Sequence, residues 1–185
     1  AGAVKTAEVW TPGPEVWEFT DDMVVERFSH AMTVLKDGRV LAAGGRDIKN
    51  TGTDHAEIWD PETGNWTAVE NMNDAHESFL MVTMDDGRVI VTGGSNRDYD
   101  PTAIAEIYDP EANTWTLIGG MSVDRIWHTG TLLSDGRVLI VGGGDPDGPY
   151  IKNTEIYDPV EGIWFSAGDM TIGRTQHTAT LLKDG

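Results

Sequence analysis

Four tryptophans, Trp17, Trp66, Trp115 and Trp164, stand at one constant separation of 49 residues, and many other residues of this 185-residue chain keep the same period. Met23, Met72, Met121 and Met170 repeat with it, as do Gly38, Gly87, Gly136 and Gly185. Glu8, Glu57, Glu106 and Glu155 form a fourth column, and Pro12, Pro61, Pro110 and Pro159 a fifth. So many columns at one spacing, with no insertion, define an internal repeat, and a repeat fixes the architecture before any single segment is read.

Within each period the strand signals are short and regular. From His128 to Leu133 the chain reads as a first strand, a, which a turn at Asp135-Gly136 reverses. Asp-Gly between apolar runs supplies the positive φ of a tight hairpin. Arg137 to Val141 returns as strand b and ends in Gly142-Gly143. Glu155-Ile156-Tyr157 lies in strand c, Asp158-Pro159 opens a turn with φ preset by proline, and Trp164-Phe165 lies in a short strand d. No segment sustains a 3.6-residue apolar period, so the reading is all-β with essentially no helix. Four antiparallel strands per repeat imply radial sheets around an axis, with each blade buried on both faces. The near-continuous apolar b strands fit that burial. The tryptophan that opens strand d is expected to pack between adjacent blades, because a large aromatic buries about 150–250 Å².

The glycine pair that closes strand b, followed by Tyr or Trp and then Trp, resembles the kelch motif. It stands here as Gly44-Gly45…Trp59…Trp66, Gly93-Gly94…Tyr108…Trp115 and Gly142-Gly143…Tyr157…Trp164. The Asp-Gly-Arg-Val turns resemble the kelch repeats of secreted bacterial proteins and of the galactose-oxidase central domain. The resemblance implies a kelch-type β-propeller, most often a binding platform, and an extracellular or periplasmic setting. Residue 1 falls in the loop before a strand c, and Gly185 aligns with Gly136 inside an a–b turn. The expectation is a partial ring of about four blades over 1–185: two strands, three complete four-stranded blades and a lone strand a, fifteen strands in all. Such a segment belongs to a longer chain, or to a ring completed by another chain, with self-assembly through its open blade edges.

Composition narrows the partners. The chain carries 13 basic and 31 acidic residues, a formal charge of −18, and such a surface repels phosphate backbones and anionic lipid. No apolar run approaches the roughly 20 residues that cross a bilayer. These features argue against nucleic acid and membrane insertion; the expected partner is a protein or carbohydrate ligand. With no cysteine, disulfides and thiolate metal sites are excluded.

Strand order places the a–b and c–d turns at one end of every blade and the b–c and d–a loops at the other. The first set is stereotyped, as in Asp37-Gly38 and Asp60-Pro61. The second varies, as Arg46-Asp47-Ile48-Lys49 against Ser95-Asn96-Arg97-Asp98-Tyr99. Recognition is therefore expected on the b–c/d–a face, where Phe28, Arg97, Tyr99, Trp127 and Tyr150 are the unrepeated aromatic and arginine residues. His30, His128 and His177 share a column with Phe79, and Arg27, His76, Arg125 and Arg174 share another. A column that accepts phenylalanine, beside arginines, reads as structural hydrogen bonding and not as a metal site. Asn96, Asp98 and Asp100, and Asp145-Pro146-Asp147-Gly148, alternate oxygens as calcium loops do. The late bidentate glutamate is missing, since Ile107 stands there, and polar turn chemistry explains them better. No catalytic constellation, cofactor or metal is assigned. The functional reading is a non-catalytic binding scaffold. Its alternatives are a structural assembly subunit or a fragment of a copper-radical oxidase resembling galactose or glyoxal oxidase, whose cross-linked cysteine this sequence does not contain.

Overall fold

The computed structural model describes residues 2–145, 148–183 and 185. Its strands are all antiparallel. β1 (Glu8–Thr11) and β2 (Val16–Phe19) form a half-blade, blade I. Blade II comprises β3 (Ala31–Val34), β4 (Val40–Ala43), β5 (Ala56–Trp59) and β6 (Trp66–Ala68), and blade III β7 (Leu80–Thr83), β8 (Val89–Thr92), β9 (Ala105–Asp109) and β10 (Thr114–Ile118). Blade IV comprises β11 (Thr129–Leu132), β12 (Val138–Val141), β13 (Asn153–Asp158) and β14 (Ile163–Asp169). In each complete blade the strands hydrogen-bond in sequence order, so each is a four-stranded meander. The a strands β3, β7 and β11 neighbour one another from blade to blade, which puts them innermost around the axis. This is an arc of a β-propeller.

The b strands are the most buried elements. All four residues of β8 are inaccessible, and Leu41, Ala42 and Ala43 of β4 are as well. A strand covered on both faces cannot alternate polar and apolar residues, which is why Val-Ile-Val-Thr reads as a continuous run. Between the blades lie three apolar clusters, each holding one residue of the methionine column. Met23 joins Ala42 and Trp66 between blades I and II, Met72 joins Leu41, Ile58 and Trp115 between II and III, and Met121 joins Ile90, Ile140 and Tyr157 between III and IV.

The tryptophans stitch the blades as expected. The indole of Trp66 donates to Thr20 Oγ1 (3.1 Å) and that of Trp115 to the carbonyl of Glu70 (2.8 Å), while that of Trp164 donates to the carbonyl of Gly119, each on the preceding blade. No blade precedes Trp17 among the described residues. It is 67% exposed against 9% for Trp66 and 8% for Trp115.

One expected strand is missing. Residues 177–183, in the strand-a position after blade IV, form no ladder. An extended segment becomes a strand only by pairing, and no described segment lies where its b partner would run. The arc therefore has fourteen strands among the described residues, not fifteen.

Candidate functional site

The two ends of the blades differ in how their polar groups are used. At the a–b end, one device recurs in each complete blade. Asp37 Oδ1 accepts the Arg39 backbone N–H (3.0 Å) and its Oδ2 accepts Nε (2.8 Å); Asp86 with Arg88 and Asp135 with Arg137 do the same. Partial desolvation pushes Asp37 and Asp86 upward, but their arginine hydrogen bonds outweigh it and hold both below the usual carboxylate range. Hydrogen bonds from Arg137 lower Asp135 in the same direction. Gly38, Gly87 and Gly136 close these turns at φ of 91, 92 and 85°, a conformation that favours glycine. The grooves on this face, about 380 Å³ between blades II and III and about 330 Å³ between III and IV, are lined by the same repeated turns.

Beneath the other face, the glutamate column does structural work. Glu57 accepts the backbone N–H of Val24 (2.6 Å) and pairs with Arg27 (2.5 Å), the two side chains being 1 and 0% exposed. Arg27 also donates to the carbonyls of Gly44 (2.8 Å) and His55 (3.0 Å). In blade IV, Glu155 holds Ser122 N–H (2.8 Å) and Arg125 (2.7 Å), and Arg125 reaches the carbonyls of Gly142 and Asn153. In blade III His76 stands in the place of the arginine. Its Nδ1 lies 2.7 Å from the carbonyl of Gly93 and its Nε2 3.3 Å from Glu106, whose oxygens also accept from Asn73 and Asp74. Burial raises Glu106, yet these donors prevail and leave it below its ordinary value. Each glutamate thus clamps the incoming d–a loop of its own blade. The sequence displays both charged columns, but their 30-residue separation conceals that they pair.

The histidine column lies between blades. His128 Nε2 meets Thr92 Oγ1 (3.0 Å) and His177 Nε2 meets Thr129 Oγ1 (3.1 Å). Desolvation, reinforced by Arg125, lowers His128 to about 3, and desolvation lowers His30 and His177 in the same direction. Among the described residues, no three His, Asp or Glu side chains gather as a metal site. The Asn96 side-chain oxygen is occupied by its own loop, accepting the N–H groups of Asp98 (2.9 Å) and Asp100 (3.0 Å), as Asp47 does for Lys49 and Thr51 one repeat earlier. Of the second candidate calcium loop, Pro146 and Asp147 lie outside the described residues.

The five residues singled out on the b–c/d–a face fall into three groups. Arg97 and Tyr99 reach back to blade II. Arg97 Nη2 pairs with Asp54 (2.9 Å), and the Tyr99 ring lies 3.3 Å from the Arg46 guanidinium carbon while its hydroxyl donates to the Asn50 carbonyl (3.1 Å). Tyr99 is still 50% exposed, so it joins neighbouring loops and offers a free ring edge. Phe28 is half-buried, its backbone paired with Arg46 (3.0 and 2.9 Å). Trp127 and Tyr150 both belong to blade IV. Trp127 is exposed, and Tyr150, 64% exposed, lies beside Gly144 and Gly173. A groove of about 410 Å³ on this face is lined by Lys5, Val24, Glu26, Lys49, Asp54 and Arg97.

Trp127 also belongs to a pattern that the sequence hides. Ser29, Ser78, Trp127 and Gln176 occupy one repeat column, and all are left-handed, with φ of 54, 54, 54 and 50°. Ser78 N–H donates to the carbonyl of Ser29 (3.2 Å), Trp127 to Ser78 (3.2 Å) and Gln176 to Trp127 (3.1 Å). A backbone chain thus runs from blade to blade immediately before the a strands.

A family model described as the kelch motif matches residues 27–73, 82–122 and 128–171. No curated protein matches the chain. Among solved structures, that of YjhT matches with a TM-score of 0.74 at 11% sequence identity, over 95% of this chain and 68% of that one. Identity that low shows a shared fold alone.

Proposed function

Because the chain belongs to the kelch-motif family, we propose that it is a non-catalytic binding scaffold whose b–c/d–a loop face recognises a protein or carbohydrate ligand. The observation that carries this reading is the contrast between the two faces. The stereotyped end has its arginines bound by aspartates of their own turns, whereas the variable end leaves Trp127, Tyr150 and Tyr99 with exposed ring surface. Flat aromatics with a polar edge suit both ligand classes, since they offer a large apolar area at little conformational cost. The formal charge of −18 favours cationic over anionic protein partners. An extracellular or periplasmic setting is part of the proposal, supported by the resemblance of the Asp-Gly-Arg-Val turns to secreted bacterial repeats.

The test uses two probe sets, neutral oligosaccharides and lysine-rich peptides, titrated against the protein. Trp127→Ala and Tyr150→Ala should each weaken binding of the active probe about tenfold or more, in the range of hot-spot losses. Glu111→Ala, on the stereotyped face, should leave it unchanged. Binding that survives both loop-face changes, or that falls with Glu111→Ala, refutes the assignment.

A further inference from the structure

We infer that the boundary between blades III and IV holds a second binding site, at the outer rim, for the carbonyl oxygen of an amide-bearing ligand. The two preceding boundaries show why an oxygen belongs there. The carbonyl of Gly64 accepts both the Trp59 indole N–H (3.1 Å) and the backbone N–H of Asp21 (3.3 Å). One repeat on, the carboxamide oxygen of Asn113 accepts both the Tyr108 hydroxyl (3.0 Å) and the backbone N–H of Glu70 (3.1 Å). Each time, one oxygen bridges the aromatic of strand c and the backbone just after strand d of the preceding blade.

The next repeat keeps both donors and loses the acceptor. Tyr157 holds the column of Tyr108 and Gly119 that of Glu70, but Gly162 stands in the column of Asn113. The turn itself is unchanged, with φ of 76, 53 and 70° at Gly64, Asn113 and Gly162. The preceding blade is also in register, since Trp164 donates to the Gly119 carbonyl as Trp115 does to that of Glu70. Yet among the described residues neither the Tyr157 hydroxyl nor the Gly119 N–H has a partner. Tyr157 is 3% exposed and lines a groove of about 290 Å³ between the two blades. A buried donor without an acceptor is costly, and here it borders a space that a ligand can reach.

The groove favours an amide over a carboxylate. Arg88, which lines it, is held by Asp86 (2.6 Å), whereas Asp109 and Glu161 bring two carboxylates to the same walls. Another carboxylate would be repelled. Burial raises the Tyr157 pKa against the pull of Arg88, so the phenol keeps its proton and donates. An amide gives its carbonyl to Tyr157 and Gly119, and its N–H to Asp109, Glu161 or the hydroxyls of Thr114 and Thr116, which share one face of β10. Pockets for whole small molecules measure about 300–1,000 Å³, so this groove takes one group of a larger ligand. Two sources carry such a group: the asparagine or glutamine side chain of a peptide, and the acetamido group of an amino sugar. The site lies at the c–d turns, at the opposite end from the variable loops, and does not rest on the loop-face reading.

Amide proton–nitrogen NMR spectra give the test, with acetamide titrated to about 100 mM, a range suited to a fragment of few atoms. The Gly119 N–H should shift saturably with acetamide and more weakly with acetate. N-acetylglucosamine and N-acetylasparagine amide separate the sources, and the tighter of the two identifies the ligand class. Tyr157→Phe should weaken binding about three- to tenfold, the loss of one hydrogen bond. Gly162→Asn supplies the carboxamide from the chain itself, into space where an added methyl meets nothing within 4 Å. It should abolish the acetamide response and slow hydrogen exchange at Gly119 at least about tenfold. Asn113→Gly should open the same site one blade earlier, so that Glu70 N–H responds to acetamide; it keeps the inference testable if Gly162→Asn does not fold. No response at Gly119 overturns the inference, as does acetate binding as tightly as acetamide, acetamide binding with neither larger probe bound, or Gly162→Asn binding like wild type. Trp127→Ala should leave every one of these shifts unchanged, so this site and the loop face stand or fall separately.

Discussion

Replacing Glu57 by glutamine removes a negative charge from a site closed to solvent. Glu57 and Arg27 are 1 and 0% exposed, and the carboxylate also accepts the backbone N–H of Val24. Glutamine has the same shape but one acceptor oxygen, and its amide nitrogen would face donors. Arg27 would stay buried, held by the Gly44 and His55 carbonyls without a counter-charge. Breaking a buried pair from one side costs about 3–5 kcal/mol. For a chain of this size each kcal/mol lowers Tm by about 2–4 °C, so Glu57→Gln should melt about 6–20 °C below wild type. Urea unfolding gives the free energy and a thermal scan the midpoint. Asp37→Asn is the control: its pair with Arg39 is exposed, and its loss should cost less than about 1 kcal/mol. A loss below about 1 kcal/mol for Glu57→Gln would show that the clamp does not hold the loop and would refute the reasoning.

The His128 pocket carries a pH signature. Its folded pKa is about 3 against an ordinary 6.5, so the unfolded chain takes up the proton first as pH falls. Its contribution is whole above pH 6.5 and is lost from there towards pH 3, at about 1.4 kcal/mol per pH unit. The double variant Thr92→Ala/His128→Phe, which copies the Ala43 and Phe79 found one repeat earlier, should flatten the dependence of stability on pH between about 6.5 and 5 by about that amount; an unchanged slope in urea titrations counts against it. Gly93→Ala should cost more than about 2 kcal/mol, because at φ 60° the added methyl would stand 2.6 Å from the Arg125 carbonyl; a melt like wild type would mean the blade spacing yields. Tyr99→Ala removes the ring over Arg46 and should cost about 1 kcal/mol while raising proteolysis in 46–55, and equal cleavage rates would show the loops to be independently ordered.

The blades were legible because the interactions that define them recur at one spacing. A tryptophan that must meet the preceding blade in every repeat leaves a column at 17, 66, 115 and 164, and the near-continuous b strands show burial directly. What the sequence concealed are pairings between columns. The glutamates at 57, 106 and 155 and the basic residues at 27, 76 and 125 stand out singly, but strand order alone does not reveal that a loop folds back onto strand c of its own blade. Arg97 and Tyr99 were legible as residues of the loop face, but not as contacts to Asp54, Arg46 and Asn50. Those contacts depend on how loops lean across a blade boundary, which no periodicity encodes. The lone final strand failed for the opposite reason: its pattern was correct, but a strand also needs a neighbour.

The left-handed column explains how one face can vary while the scaffold stays fixed. Ser29, Ser78, Trp127 and Gln176 share a backbone geometry but no side-chain chemistry. The link each makes to the next blade is N–H to carbonyl, so it is indifferent to what the side chain is. A bulky residue at positive φ costs of order 1–3 kcal/mol, and such strain persists only where surrounding contacts fix the backbone. Before Ser29, Ser78 and Trp127 the glutamate clamp fixes the loop from beneath, and the inter-blade hydrogen bond fixes the column from the side. That double restraint leaves the side chain without a part in either link, which is why serine and tryptophan both occur there. A tryptophan at such a position is a rigid aromatic whose orientation the scaffold sets, close to the axis and on the face where the loops diverge.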